Sequence, residues 1–165
     1  MTSSTGMEQW SERTPAVADL LNPALIATLI AAAASQYESR DGSPMPFELS
    51  FLAVPLVLHR DTRVALPVRV NSHLAKWVKA HEVLAAGFSA RAKALVEPVR
   101  EGLRFGLRSG AIEFDRGNIT GHLRSRTPAG IGDIGEIVRK AGFVGRWFTQ
   151  IESSATVFAL LGVEV

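Results

Sequence analysis

A mainly α-helical domain with one small β-hairpin is the fold class this sequence predicts, and three observations predict it. Between Pro98 and Leu123 a short amphipathic helix runs straight into a tight alternating hairpin. Elsewhere apolar residues recur at helical spacing, with Pro and Gly punctuating the segments. Hydrophobic residues make up 47% of the 165, against 21% charged, which is enough to build a core in about one domain. A helix leading into a hairpin is the outline of half a winged helix, so a winged-helix-like helical domain is the specific expectation. Residues 1–15 are polar and read as a flexible N-terminal tail. Residues 16–165 read as a single helical domain, with its winged-helix-like segment at 98–123.

Asn22-Pro23 is an N-cap and first-turn pair that launches a helix through Leu25, Ile26, Leu29 and Ile30 to about Tyr37. The stretch from Arg40 to Pro44 reads as a loop. Pro46 opens a segment from Phe47 to His59 whose length favours a helix kinked or broken at Pro55; a buried strand after Pro55 is the alternative. From His59 to Pro67 the pattern is irregular. Asn71 or Ser72 then caps a short helix carrying Leu74, Trp77 and Val78. Another helix spans about Glu82 to Val96, with Val83, Leu84, Phe88 and Leu95 spaced for a core.

The next helix starts at Pro98, where a missing N–H costs nothing. Val99, Leu103, Gly106 and Leu107 share one face, and Arg100, Arg104 and Arg108 stack in a stripe beside it. Gly110 ends it. Ile112 and Phe114 alternate with Glu113 and Asp115, Arg116-Gly117-Asn118 turns the chain, and Ile119, Gly121 and Leu123 lead back. Residues 124–132 read as a loop. Asp133 begins the last long helix, with Ile134, Ile137, Val138, Ala141, Val144 and Phe148 in one stripe and Phe143 and Trp147 outside it. A short helix or strand from Ser153 to Leu161 closes the chain.

Two segments, 24–34 and 49–58, carry no charged side chain at all. A helix apolar on every side is normally buried on every side. Two readings follow: a central helical hairpin wrapped by the other helices, or an apolar face kept for a permanent partner, since obligate interfaces resemble a core cut in half. The second predicts a chain prone to aggregate when expressed alone.

Several function classes are disfavoured. Without cysteine there is no disulfide, thiolate metal site or Cys nucleophile, which fits a reducing cytoplasm. No apolar run approaches the roughly 20 residues that span a bilayer. His59, His73, His81 and His122 lie scattered with no metal-ligand spacing, and Glu97 and Glu101 sit among arginines as intrahelical ion pairs. The glycines at 130–132 and 142–145 lack the following Lys-Ser/Thr of a phosphate loop. The expectation is no catalytic residue, no metal and no cofactor.

Nucleic acid is the stronger candidate. From Arg91 to Arg126 there are eight basic and four acidic residues, a net +4 in a chain whose whole charge is +2. Arg100, Arg104, Arg108, Arg116, Arg124 and Arg126 are the candidate contacts, because arginine is the commonest partner of both bases and phosphates. Glu113 and Asp115 on the hairpin oppose that reading. For the stripe itself a solvated, ion-paired helix face is the plainer reading, DNA contact the second and a surface for an acidic protein the third.

The same residues carry a resemblance. Asn22-Pro23-Ala24 opening an apolar helix, Pro55-Leu56-Val57-Leu58-His59, Leu66-Pro67 and Glu97-Pro98-Val99-Arg100 leading to Phe105-Gly106 come in that order. Gly145-Arg146-Trp147-Phe148 and Leu161-Gly162-Val163 complete the series. Over about residues 20–165 the chain resembles the middle component of prokaryotic three-component ABC-ATPase systems, of which the Lamassu anti-phage system is the best-known type. The resemblance implies a small non-enzymatic subunit beside an SMC- or Rad50-like ATPase and an effector-bearing, nuclease-like component, sensing invading double-stranded DNA. Phe143, Arg146, Trp147 and Phe148 are the expected partner surface. A free-standing winged-helix transcription regulator is the rival reading.

Overall fold

The computed structural model describes residues 21–123 and 133–164. Arg124 and Arg126, the loop at 124–132 and the tail at 1–15 lie outside them. The order is α1 (Pro23–Asp41), β1 (Met45–Pro46), a 3-10 turn (Phe47–Leu49), α2 (Ser50–Leu58), α3 (Arg60–Ala65), α4 (Leu74–Ala80) and α5 (Glu82–Ala94). Then come α6 (Val96–Ser109), β2 (Ile112–Asp115), β3 (Asn118–Gly121), α7 (Ile134–Phe148) and α8 (Ser154–Leu160). The fold is therefore mainly helical, with one small antiparallel sheet.

Helix α1 is the axis around which the rest packs. Asn22 caps it, its Oδ1 accepting from the Ala24 N–H at 2.8 Å. It runs past Tyr37 to Asp41, because Gly42 supplies the left-handed cap (φ 85°) and donates its N–H to the Glu38 carbonyl. Helices α6 and α7 and strand β3 pack on different sides of it, with α7 the most extensive neighbour. That is why 24–34 is apolar all round. Helix α2 is buried too, against α1, α7, α5 and α6. Both charge-free segments are thus largely covered by this chain's own elements.

Small residues set how close the layers come. A Cβ built on Gly145 of α7 would lie 2.1 Å from the Ala33 carbonyl oxygen, and one on Gly121 of β3 would lie 2.1 Å from that of Ala31. The alanines at 31–34 and these glycines therefore form a backbone-to-backbone seam between α1, α7 and β3. Helix α6 joins α1 in the same manner, a Cβ on Gly102 meeting Ile26 at 2.5 Å.

The structure decides some sequence expectations and corrects others. The segment at 47–58 is helical, a 3-10 turn running into α2 with Pro46 as its N-cap, and Pro46 also pairs in β1 with Asn118. Residues 60–65 are helical, since His59 acts as an N-cap, Nδ1 accepting from the Thr62 N–H at 3.3 Å. Helix α4 starts after His73, and neither Asn71 nor Ser72 caps it. In α5, Phe88 and Ala92 are buried but Val83 is exposed. In α6 the core face is Val99, Gly102 and Gly106; Leu107 is exposed, because the glycines let the helix roll onto Ile26 and Ile112. Helix α6 also begins two residues before Pro98, whose missing N–H still falls in the unpaired first turn. The closing segment is a helix, with Ser153 Oγ accepting from the Thr156 N–H at 3.2 Å.

Candidate nucleic-acid interface

Val99, Gly102 and Gly106 fix the inward face of α6, and at 3.6 residues per turn Arg104 then points directly away from the core. Arg100 and Arg108 lie one turn to either side, so the stripe is the outermost line of the helix. All three are exposed. Arg100 Nη1 donates to the Glu97 carboxylate one turn back, with both side chains about half exposed. Arg108 Nε approaches the Arg104 carbonyl at 3.4 Å. The line is therefore cationic but partly neutralised along its own helix.

The hairpin follows α6 directly. Its sheet has the order β1-β3-β2, with Phe114 paired to Ile119 and Asp115 to Asn118. Arg116 and Gly117 form the two-residue tip with φ of 52° and 81°, the left-handed pair a type I′ turn needs. Arginine is an unfavourable choice at such a position, where a Cβ meets the next carbonyl oxygen. Arg116→Asn should therefore stabilise the chain by about 0.5–1 kcal/mol. A thermal melt with an unchanged or lower midpoint would show that the arginine is not strained there. The Arg116 side chain is free in solvent except for Asp115 at 4.0 Å. Arg124 and Arg126 complete the sequence-based set but lie outside the described residues.

The four residues expected to meet a partner sit elsewhere. Phe143, Trp147 and Phe148 are core residues, Trp147 only 1% exposed. The Trp147 Nε1–H donates to the Ser72 carbonyl at 2.6 Å, and its ring stands edge-on to Trp77 at 5.8 Å. Arg146 donates to the Gln36 side chain at 3.0 Å, tying α7 to α1. The sequence stripe put Phe143 and Trp147 on an outer side; that side is covered by α2 and by the loop before α4.

The histidines have local tasks. His59 caps α3, its basicity lowered by burial and by the neighbouring Arg91 guanidinium. His73 is the first residue before α4, His81 stacks on Trp77 at 4.8 Å, and His122 Nε2 lies 3.3 Å from a Glu113 carboxylate oxygen. Among the described residues no three His, Asp or Glu come together as a metal site.

One feature escaped the sequence. An open cleft of about 330 Å³, walled by Pro55, Leu58, Leu95 and Leu21, has His59 and Arg91 at its side. Arg91 Nη2 donates to the Leu84 carbonyl at 2.8 Å, while its Nε has no acceptor. Nearby Arg63 is buried and donates to the Val57 carbonyl at 2.7 Å. Residues so far apart along the chain carry no common spacing, so no sequence signal could have joined them.

No helix among the described residues is long and apolar enough to cross a membrane. No curated protein and no solved structure gives a significant match to the chain. A family model for Middle Component 3 of ABC-three component (ABC-3C) systems matches residues 10–165. That match covers nearly the whole chain, including the apolar axis, the arginine stripe and the Trp-Phe pair. The chain belongs to the ABC-3C Middle Component 3 family, and so to the parts that work together in a three-component ABC system.

Proposed function

We propose that this chain is a non-catalytic accessory subunit of an SMC/Rad50-like ABC-ATPase anti-phage complex of the Lamassu type, working in the cytoplasm. It bridges the ATPase and a nuclease-like effector, and it contacts double-stranded DNA through α6. The observation that carries the DNA contact is the outward line of Arg100, Arg104 and Arg108 on the helix that enters the hairpin. Support also comes from the order of elements. A helix, a strand, further helices, a last helix and a hairpin, with the sheet ordered β1-β3-β2, is the order of a winged helix. In that arrangement α6 occupies the place of the recognition helix and Arg116 the tip of the wing.

Replacing Arg100, Arg104 and Arg108 together by Gln should weaken DNA binding by the assembled complex. The slope of log K against log salt should flatten by about 0.9 for each phosphate no longer neutralised, because every neutralised phosphate releases counterions. Assembly should persist, since none of the three reaches the core. An unchanged salt slope in a complex that still assembles would overturn the DNA contact. The non-catalytic part has its own test in cells carrying the whole operon. Gln or Asn at 59, 73, 81 or 122 should leave phage protection largely intact. A histidine variant that assembles but loses all protection would overturn it.

A further inference from the structure

Strand β2 is an edge strand of the sheet, and its exposed Phe114 pairs with Phe47 of the 3-10 turn. Phe114 is 54% exposed, and its ring meets Phe47 edge-to-face at 5.8 Å. Phe47 in turn stands edge-on to Phe51 at 6.4 Å, so the patch is anchored on α2. On the opposite face of the hairpin, Glu113 and Asp115 flank the same residue and are exposed. The hairpin edge thus presents aromatic rings on one face and two carboxylates on the other.

The backbone adds a register. A two-residue turn makes Asp115 and Asn118 a hydrogen-bonded pair, and alternation makes Glu113 and Thr120 the next. The bond from the His122 N–H to the Ala111 carbonyl, 2.8 Å, continues the series. The N–H and C=O of Phe114 therefore face outward, where no strand among the described residues meets them. Among the described residues the edge is therefore unpaired at Phe114.

We infer that the β2 edge at Phe114 is a docking site for an extended segment of another protein with a basic–apolar–basic pattern. With its apolar residue opposite Phe114, that segment exchanges a pair of backbone hydrogen bonds there and packs on the Phe47–Phe114 rings. Its two neighbours point to the other face and meet Glu113 and Asp115. The existing contacts of those carboxylates, Arg116 at 4.0 Å and His122 at 3.3 Å, are both well exposed and yield to a new partner. A second copy of this chain fits badly: Phe114 opposite Phe114 would set Glu113 against Asp115. The site uses none of the α6 arginines, so it stands or falls apart from the nucleic-acid reading.

The test is a titration of the isotope-labelled full chain with a blocked peptide centred on Lys-Leu-Lys. Backbone shifts should centre on Phe114, and its amide should exchange roughly tenfold more slowly in the complex. N-methylating the central Leu should weaken binding, because its N–H is needed at Phe114. A Glu-Leu-Glu peptide should not bind the native chain. It should bind the double variant Glu113→Lys/Asp115→Lys, which in turn should lose the basic peptide; this swap separates a lost site from a lost fold. Absence of shifts with Lys-Leu-Lys, equal binding of both peptides, or binding without protection at Phe114 would each overturn the inference.

Discussion

Trp147→Ala should unfold this protein more readily than any other side-chain truncation in α7, at a cost of about 3–5 kcal/mol. The indole is 1% exposed, stands against Trp77 at 5.8 Å and Phe143 at 6.1 Å, and holds the Ser72 carbonyl. Truncation leaves a cavity at the junction of α7, α4 and the loop before α4. It also strips the partly buried Ser72 carbonyl of its donor. Trp147→Phe separates the two terms, keeping most of the packing while losing the hydrogen bond, and should cost about 1–2 kcal/mol more than the reduced apolar area alone. Denaturant unfolding at equilibrium measures both. A Trp147→Ala chain within about 1 kcal/mol of the native would mean the site collapses around the cavity. On the proposed role, the alanine variant should also fail to co-purify with the ATPase, because α7 would no longer be held against α4 and the loop before it.

Adding a single methyl group at Gly145 should be nearly as damaging. Its Cβ would lie 2.1 Å from the Ala33 carbonyl oxygen and 2.8 Å from the carbonyl carbon, and neither can rotate away. The two helices must separate, which opens the seam along 31–34, at a cost of about 3 kcal/mol. Gly142 is the internal control, one turn earlier on the same helix. There the added Cβ would meet Gln36 Cγ at 3.0 Å, the middle of a flexible side chain. Gly142→Ala should be close to neutral, the small steric cost offset by about 1 kcal/mol of helix propensity. Thermal melts of the two variants should therefore differ sharply. Equal midpoints would show that the α1–α7 approach is adjustable, and that the seam is not what sets it.

The close seam also explains why the charge-free segments are ambiguous in sequence. Periodicity reports which residues avoid water, and for 24–34 and 49–58 it reports all of them. It cannot distinguish a neighbour in the same chain from a neighbour in another. Alanines at 31–34 next to glycines at 121, 142 and 145 resolve this, because small residues are where backbones approach. Those glycines lie about 90–110 residues further along the chain, and nothing local connects them to the alanines.

Sequence by itself determined the helical class, the hairpin from Ile112 to Gly121, the Asn22 cap and the start of α7 after Asp133. Each of these rests on interactions within a few residues, such as a cap, a left-handed turn or a repeat of polarity. It also determined the composition of the arginine stripe, because residues four apart stack on any helix. Its orientation came only from the tertiary structure, in which Gly102 and Gly106 roll α6 onto Ile26 and Ile112, burying Val99 and leaving Leu107 outside. Tertiary packing likewise took Phe143, Trp147 and Phe148 from the expected partner surface into the core, since α2 and the loop before α4 lie over the side they face. It made β1 from two residues, Met45 and Pro46, whose only claim to be a strand is a partner more than seventy residues away. Local physics decides which elements form; which face each one buries is decided by what the rest of the chain brings against it.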